Sequence, residues 1–320
     1  MAAESYWLKR NLENEEAMHR SLDKKEQVIL DSYRQAQKYL DGEIHRIYNR
    51  YLTKSGLDEK EVAKILRSEE HTSDIAELQR MAKNITDKEI QKEVRDYLTE
   101  MAVKHRITLL ETLKAKAYIS SRQIRDVQLD VQTDFYIDVI HEAYEEAANE
   151  AIIGQTEQKL TVIEGQYPKY VATRSQEKLQ ILDAKTDKVI KEVTLEPDAK
   201  IPEFKELSTR YVKNILESDW KGSNYSKRIW NDTDALAKRL EELFTVKNLT
   251  GMSNSQMAKS LAKEFETSMF VANRLIRTEA NYMAGQAKLK AWKEHGVAEY
   301  VLIAVLDFRT SLICREIDGK

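Results

Sequence analysis

Apolar residues in this chain recur at helical period over most of its length. Between Glu4 and Lys54, the residues Ile29, Tyr33, Ala36, Leu40, Ile44, Ile47 and Tyr51 follow at intervals of four or three, which sets them on one side of a long amphipathic helix. Ser55-Gly56 ends that stripe, and Asp58 to Arg67 reads as a short helix. Thr86 and Glu89 have the spacing of a capping box, in which hydroxyl and carboxylate each satisfy an orphan N–H. That box opens a second helical tract with Ile90, Val94, Tyr97, Met101, Leu109 and Leu113 inward. A third tract runs from Ser121 to Ile153 with Val127, Val131, Phe135, Val139 and Tyr144 inward, and Gly154 closes it. Stripes of this length need cover. Antiparallel helices of the same chain supply it, and another subunit is the alternative.

The pattern changes after residue 158. Glu177 to Leu195 holds two short runs of branched or alternating apolar residues around Ala184-Lys185-Thr186-Asp187, which predicts a β-hairpin. Pro168, Pro197 and Pro202 are the only prolines and all lie in this region, so the junction between domains is placed here. Helices return at Ser208–Leu216, at Asn231–Phe244 with Leu236, Leu240 and Leu243 inward, and at Ser253–Phe265 behind a Ser253/Gln256 capping box. From Arg274 onward, Leu275, Ile276, Ala280, Met283, Ala284, Ala287, Leu289 and Trp292 form another helical face, which Gly296 terminates. Tyr300 to Leu306 is an apolar, β-branched run and predicts a strand. The expected fold is mainly α, with long N-terminal amphipathic helices, a short β-hairpin near the middle and a small α+β C-terminal domain. The expected divisions are residues 1–158, 159–203 and 204–320.

Composition narrows the function. Charged residues make up 33% and hydrophobic residues 42% of 320, with nine Gly and three Pro; such scarcity of turn formers favours long helices over a loop-rich or all-β fold. The net charge of −3 is too close to zero for a wholesale nucleic-acid binder. It is unevenly placed, at −6 over residues 1–150 and +3 over 151–320. The single cysteine, Cys314, excludes an intrachain disulfide and fits a reducing compartment. No stretch approaches a membrane span, and residues 1–30 hold no apolar signal core.

Polar residues bunch near the C-terminus. Arg277 and Glu279 lie two apart on a helix and so face different ways; the expected partners are Asp307 and Arg309 beside the strand. One reading is a metal or acid/base site on Glu279, Asp307 and Asp318, since carboxylate oxygens suit a hard cation. The other is a structural polar cluster of Arg277, Glu279, Asp307 and Arg309, which the interleaved arginines favour. Cys314 with His295 falls short of a four-ligand zinc site. Trp220, Tyr225, Arg228 and Trp230 mix aromatic and basic character. They read as a loop clasped onto its domain, as a protein interface or as a stacking surface for single-stranded nucleic acid. Gly-rich phosphate loops, paired metal-spaced histidines and nucleophile elbows are absent from the sequence. No catalytic residue, cofactor or metal is expected.

Taken in order, Arg274-Leu275-x-Arg277-Thr278-Glu279, Asp307-x-Arg309-Thr310 with Cys314, and Asp318-Gly319-Lys320 resemble the C-terminal domain of the phage Mu F-like family of minor head and head morphogenesis proteins. The block Trp220-x-Gly222-x-x-Tyr225-Ser226-x-Arg228-Ile229-Trp230 and Gly251-Met252-Ser253 resemble it too, so the likeness covers roughly residues 205–320. The chain departs from the family pattern at Ser311, which stands where a C-x-x-C would be completed. The resemblance implies a structural virion protein inside the capsid near the portal, present in the host cytoplasm during assembly. Its implied partners are the portal protein, other capsid or scaffold proteins, and packaged DNA through weak non-specific contact. Rival readings are a DNA-binding internal protein ejected with the genome and a metal-dependent hydrolase.

Overall fold

The structure, a computed structural model, describes residues 2–52, 58–67, 69–70, 73–103, 107–155, 168–172, 178–183, 188–194, 205–300 and 315–316. Among these the chain is mainly helical. The helices are α1 (Ala2–Ile47), α2 (Glu59–Leu66), α3 (Ser73–Ala82), α4 (Lys88–Val103), α5 (Leu109–Gln155), α6 (Thr209–Leu216), α7 (Tyr225–Leu243), α8 (Val246–Gly251) and α9 (Asn254–Glu294). The strands are β1 (Glu69–Glu70), β2 (Ile107–Thr108), β3 (Pro168–Ala172), β4 (Lys178–Asp183) and β5 (Val189–Thr194). Short β1 and β2 pair antiparallel, and β3-β4-β5 form an antiparallel sheet in that order. Paired β4 and β5 fall where the apolar pattern predicts a hairpin, with Gln180 opposite Glu192 and a register shift at Ile181/Leu182. The turn residues 184–187 lie outside the described residues.

Contacts divide the chain into two compact units, neither of them a continuous stretch. The first comprises Met1–Ser21, Ile137–Ile215 and Ala280–Lys320; the second comprises Leu22–Tyr136 and Leu216–Glu279. The expected divisions at 158 and 203 follow composition along the chain, whereas this grouping follows packing, and its boundaries fall inside α1, α5 and α9 and before the last residue of α6. The strand predicted over Tyr300–Leu306, and with it the expected α+β C-terminal domain, falls on residues 301–314, which lie outside the described residues.

Helix ends are set by local chemistry. Asp58 and Glu61 form a capping box for α2, and Ser253 with Gln256 does the same for α9: Ser253 N–H donates to Gln256 Oε1 at 2.8 Å and Gln256 N–H to Ser253 Oγ at 3.2 Å. A further box not expected from the sequence joins Thr108 and Glu111 at the start of α5. Gly296, at φ 72°, closes α9 in a Schellman motif, with Val297 N–H donating to Trp292 C=O at 2.9 Å.

The Thr86/Glu89 box is not the cap of α4. Asp87 is: its Oδ1 accepts from Glu89 and Ile90 N–H, both at 2.9 Å. Thr86 turns instead to Asp126 of α5, which accepts from Thr86 N–H at 2.9 Å, Thr86 Oγ1 at 3.1 Å and Asp87 N–H at 2.7 Å. A carboxylate from another helix thus takes the loop's orphan donors, and the threonine hydroxyl follows it.

Several helices run on where the sequence suggests breaks. α5 passes through 113–121 without a Gly or Pro to stop it, and α9 is continuous from Asn254 to Glu294. Helix α7 begins at Tyr225, earlier than Asn231, because Asn224 accepts from Lys227 N–H at 2.9 Å. The end of α1 converts to a π-helical turn, Tyr48–Leu52. Tyr48, outside the predicted stripe, is buried there and its hydroxyl donates to Met252 C=O at 2.9 Å.

In the second unit, α3, α4 and α5 enclose an apolar cluster of Leu78, Ile90, Val94, Leu98 and Ile119, against which Trp230 packs. α5 does not bury only the predicted stripe. Arg125, Gln128, Gln132 and Tyr136 are fully buried, while Val127 and Val131 are half-buried. Gln128 Nε2 donates to Tyr33 Oη at 2.9 Å, Gln132 Nε2 to Gln128 Oε1 at 3.3 Å, and Tyr136 Oη to Gln132 Oε1 at 2.8 Å. The polar row is tolerated because its members satisfy one another. Nearby, Lys116 is buried between Glu43 at 2.8 Å and Glu77 at 3.0 Å.

In the first unit, Tyr144 of α5 donates to Glu294 at 2.6 Å, Tyr211 of α6 to Gln286 C=O at 3.3 Å, and Trp292 stacks on Tyr300 at 5.1 Å. Leu289, placed on the apolar face by its spacing, is exposed.

Candidate functional site

Blocks distant in sequence converge on Glu279. This carboxylate is 0% exposed. Its Oε1 accepts from Arg228 Nη1 at 2.7 Å and its Oε2 from Trp220 Nε1 at 2.8 Å. Burial holds the carboxyl above its ordinary range, outweighing Trp220 and Arg228, which act to lower it. Arg228 also donates to Ser223 C=O at 3.0 Å and to Trp220 C=O, and its guanidinium lies 5.2 Å from the Trp220 ring centroid. Holding those carbonyls near one guanidinium needs a tight reversal, which Lys221 at φ 52° and Gly222 at φ 84° provide.

Arg277 does not join Glu279. Two positions round α9 it points elsewhere, its Nη2 meeting Asp23 at 2.8 Å and Glu26 at 2.6 Å. Its side chain is 42% exposed. Asp307 and Arg309 lie outside the described residues, as do Cys314 and Asp318. Arg277 and Glu279 face different ways, as their spacing predicts, and their expected pairing with Asp307 and Arg309 falls outside the described residues.

The aromatic-basic block is used inside its own unit. Trp220 and Arg228 hold Glu279. Tyr225 is buried, its hydroxyl 2.7 Å from Thr133 Oγ1 and its ring edge-on to Tyr136 at 5.2 Å. Trp230 lies beneath Arg125, with the guanidinium 3.9 Å from the ring centroid. These contacts clasp the block onto its own unit, while Trp220, Arg228 and Trp230 keep part of their surface exposed.

A second polar network has no sequence signal. Arg125 is fully buried and donates to Glu93 Oε2 at 2.9 Å, Thr233 Oγ1 at 2.8 Å, Trp230 C=O at 3.3 Å and Asp234 Oδ1. Arg122 meets Glu93 at 2.6 Å and Asp234 at 2.7 Å and lies 4.0 Å over the Tyr118 ring. Two arginines and two carboxylates thus tie α4, α5 and α7 together. Burial acts to raise Glu93, but Arg122 and Arg125 overcome it and hold the carboxyl below its ordinary range. Burial, then the like charge of Arg122, pull Arg125 down. Helical period treats both arginines as solvated; only partners from other helices reveal them.

Beside this network lies a cleft of about 660 Å³ lined by Tyr97, Met101, Tyr118, Arg122, Asp234 and Lys238, among others. Tyr97 and Tyr118 stack at 4.1 Å. Arg122 and Asp234 are engaged with each other there, and Lys114 with Glu241 at 3.3 Å. Among the described residues no group of three or more His, Cys, Asp or Glu is arranged to hold a metal ion, and no helix is long and apolar enough to cross a membrane.

No family model matches the chain, and no curated protein or solved structure matches it.

Proposed function

We propose that this chain is a structural minor head protein of a tailed bacteriophage, which sits inside the capsid, binds the portal and aids head morphogenesis and DNA delivery. One observation supports the reading most. Trp220 and Arg228 from one block of the resemblance and Glu279 from another meet at the buried Glu279 carboxylate. Residues that carry the likeness thus act as internal fasteners, as a contact-making scaffold needs. The mainly helical build agrees with a protein that works by docking. The test is size-exclusion chromatography of the full chain with purified portal oligomer. Co-elution at micromolar concentration is expected; two separate peaks would sink the proposal.

A further inference from the structure

We draw no further inference here: the strongest candidate, the cleft of the second unit lined by α4, α5 and α7 around the stacked Tyr97 and Tyr118, has Arg122 engaged with Asp234 and Lys114 with Glu241, and nothing in the structure shows what covers it.

Discussion

Arg277 and Glu279 sit two residues apart on α9 and meet different fates. Glu279 is sealed from water and held by Arg228 and Trp220. Its removal strands a largely buried guanidinium and an indole N–H, so Glu279→Ala should cost about 4 kcal/mol and lower the melting temperature by about 10 °C. Arg277 reaches Asp23 and Glu26 from a partly solvated position, and screening reduces such pairs to little. Arg277→Ala should cost below about 1 kcal/mol. Thermal unfolding of the two variants decides the matter; equal losses would mean that Arg277 is as deeply committed as Glu279. The sequence makes both residues conspicuous and says that they cannot face each other, but partners in α1 and in the Trp220 turn are invisible to local spacing.

At the scale of elements, most boundaries were legible because they depend on neighbours in sequence. Asp58, Ser253 with Gln256, and Gly296 mark helix ends wherever the rest of the chain goes. Thr86 misleads for the opposite reason: Asp126, distant in sequence, competes for its backbone and hydroxyl. Asp87→Ala should therefore cost about 1 kcal/mol as a lost cap, and Asp126→Ala more, about 2 kcal/mol, since three donors lose a charged acceptor at once. Urea unfolding of the two variants tests the order; a larger loss for Asp87→Ala would restore a purely local cap. The Arg122–Arg125 network was illegible on the same grounds. A charged residue reads as solvated until Glu93 and Asp234 are brought to it by the packing of α4 and α7. Continuity of α5 and α9 was obscured by changes in which face is apolar, not by any helix-breaking residue.

For the whole molecule, the inward use of Trp220 and Arg228 makes a prediction about partners. If they act only as fasteners, Trp220→Ala and Arg228→Ala should lower melting temperature and portal co-elution together, with binding recovered on cooling to where the variant is folded. Loss of co-elution at unchanged melting temperature would instead make the block a contact surface. The discontinuous composition of the units has a consequence in time. The second unit needs residues from Leu22–Tyr136 and from Leu216–Glu279, and the first needs Met1–Ser21, Ile137–Ile215 and Ala280–Lys320. A ribosome delivers these pieces in order, at about 5–20 residues per second. The second unit cannot close before the stretch ending at Glu279 has emerged, and Met1–Ser21 must wait for the stretch beginning at Ala280 before their unit is whole. Apolar stripes on α1 and α5 are therefore exposed for many seconds on each nascent chain, and chaperone demand during synthesis follows from the order in which the pieces of each unit appear.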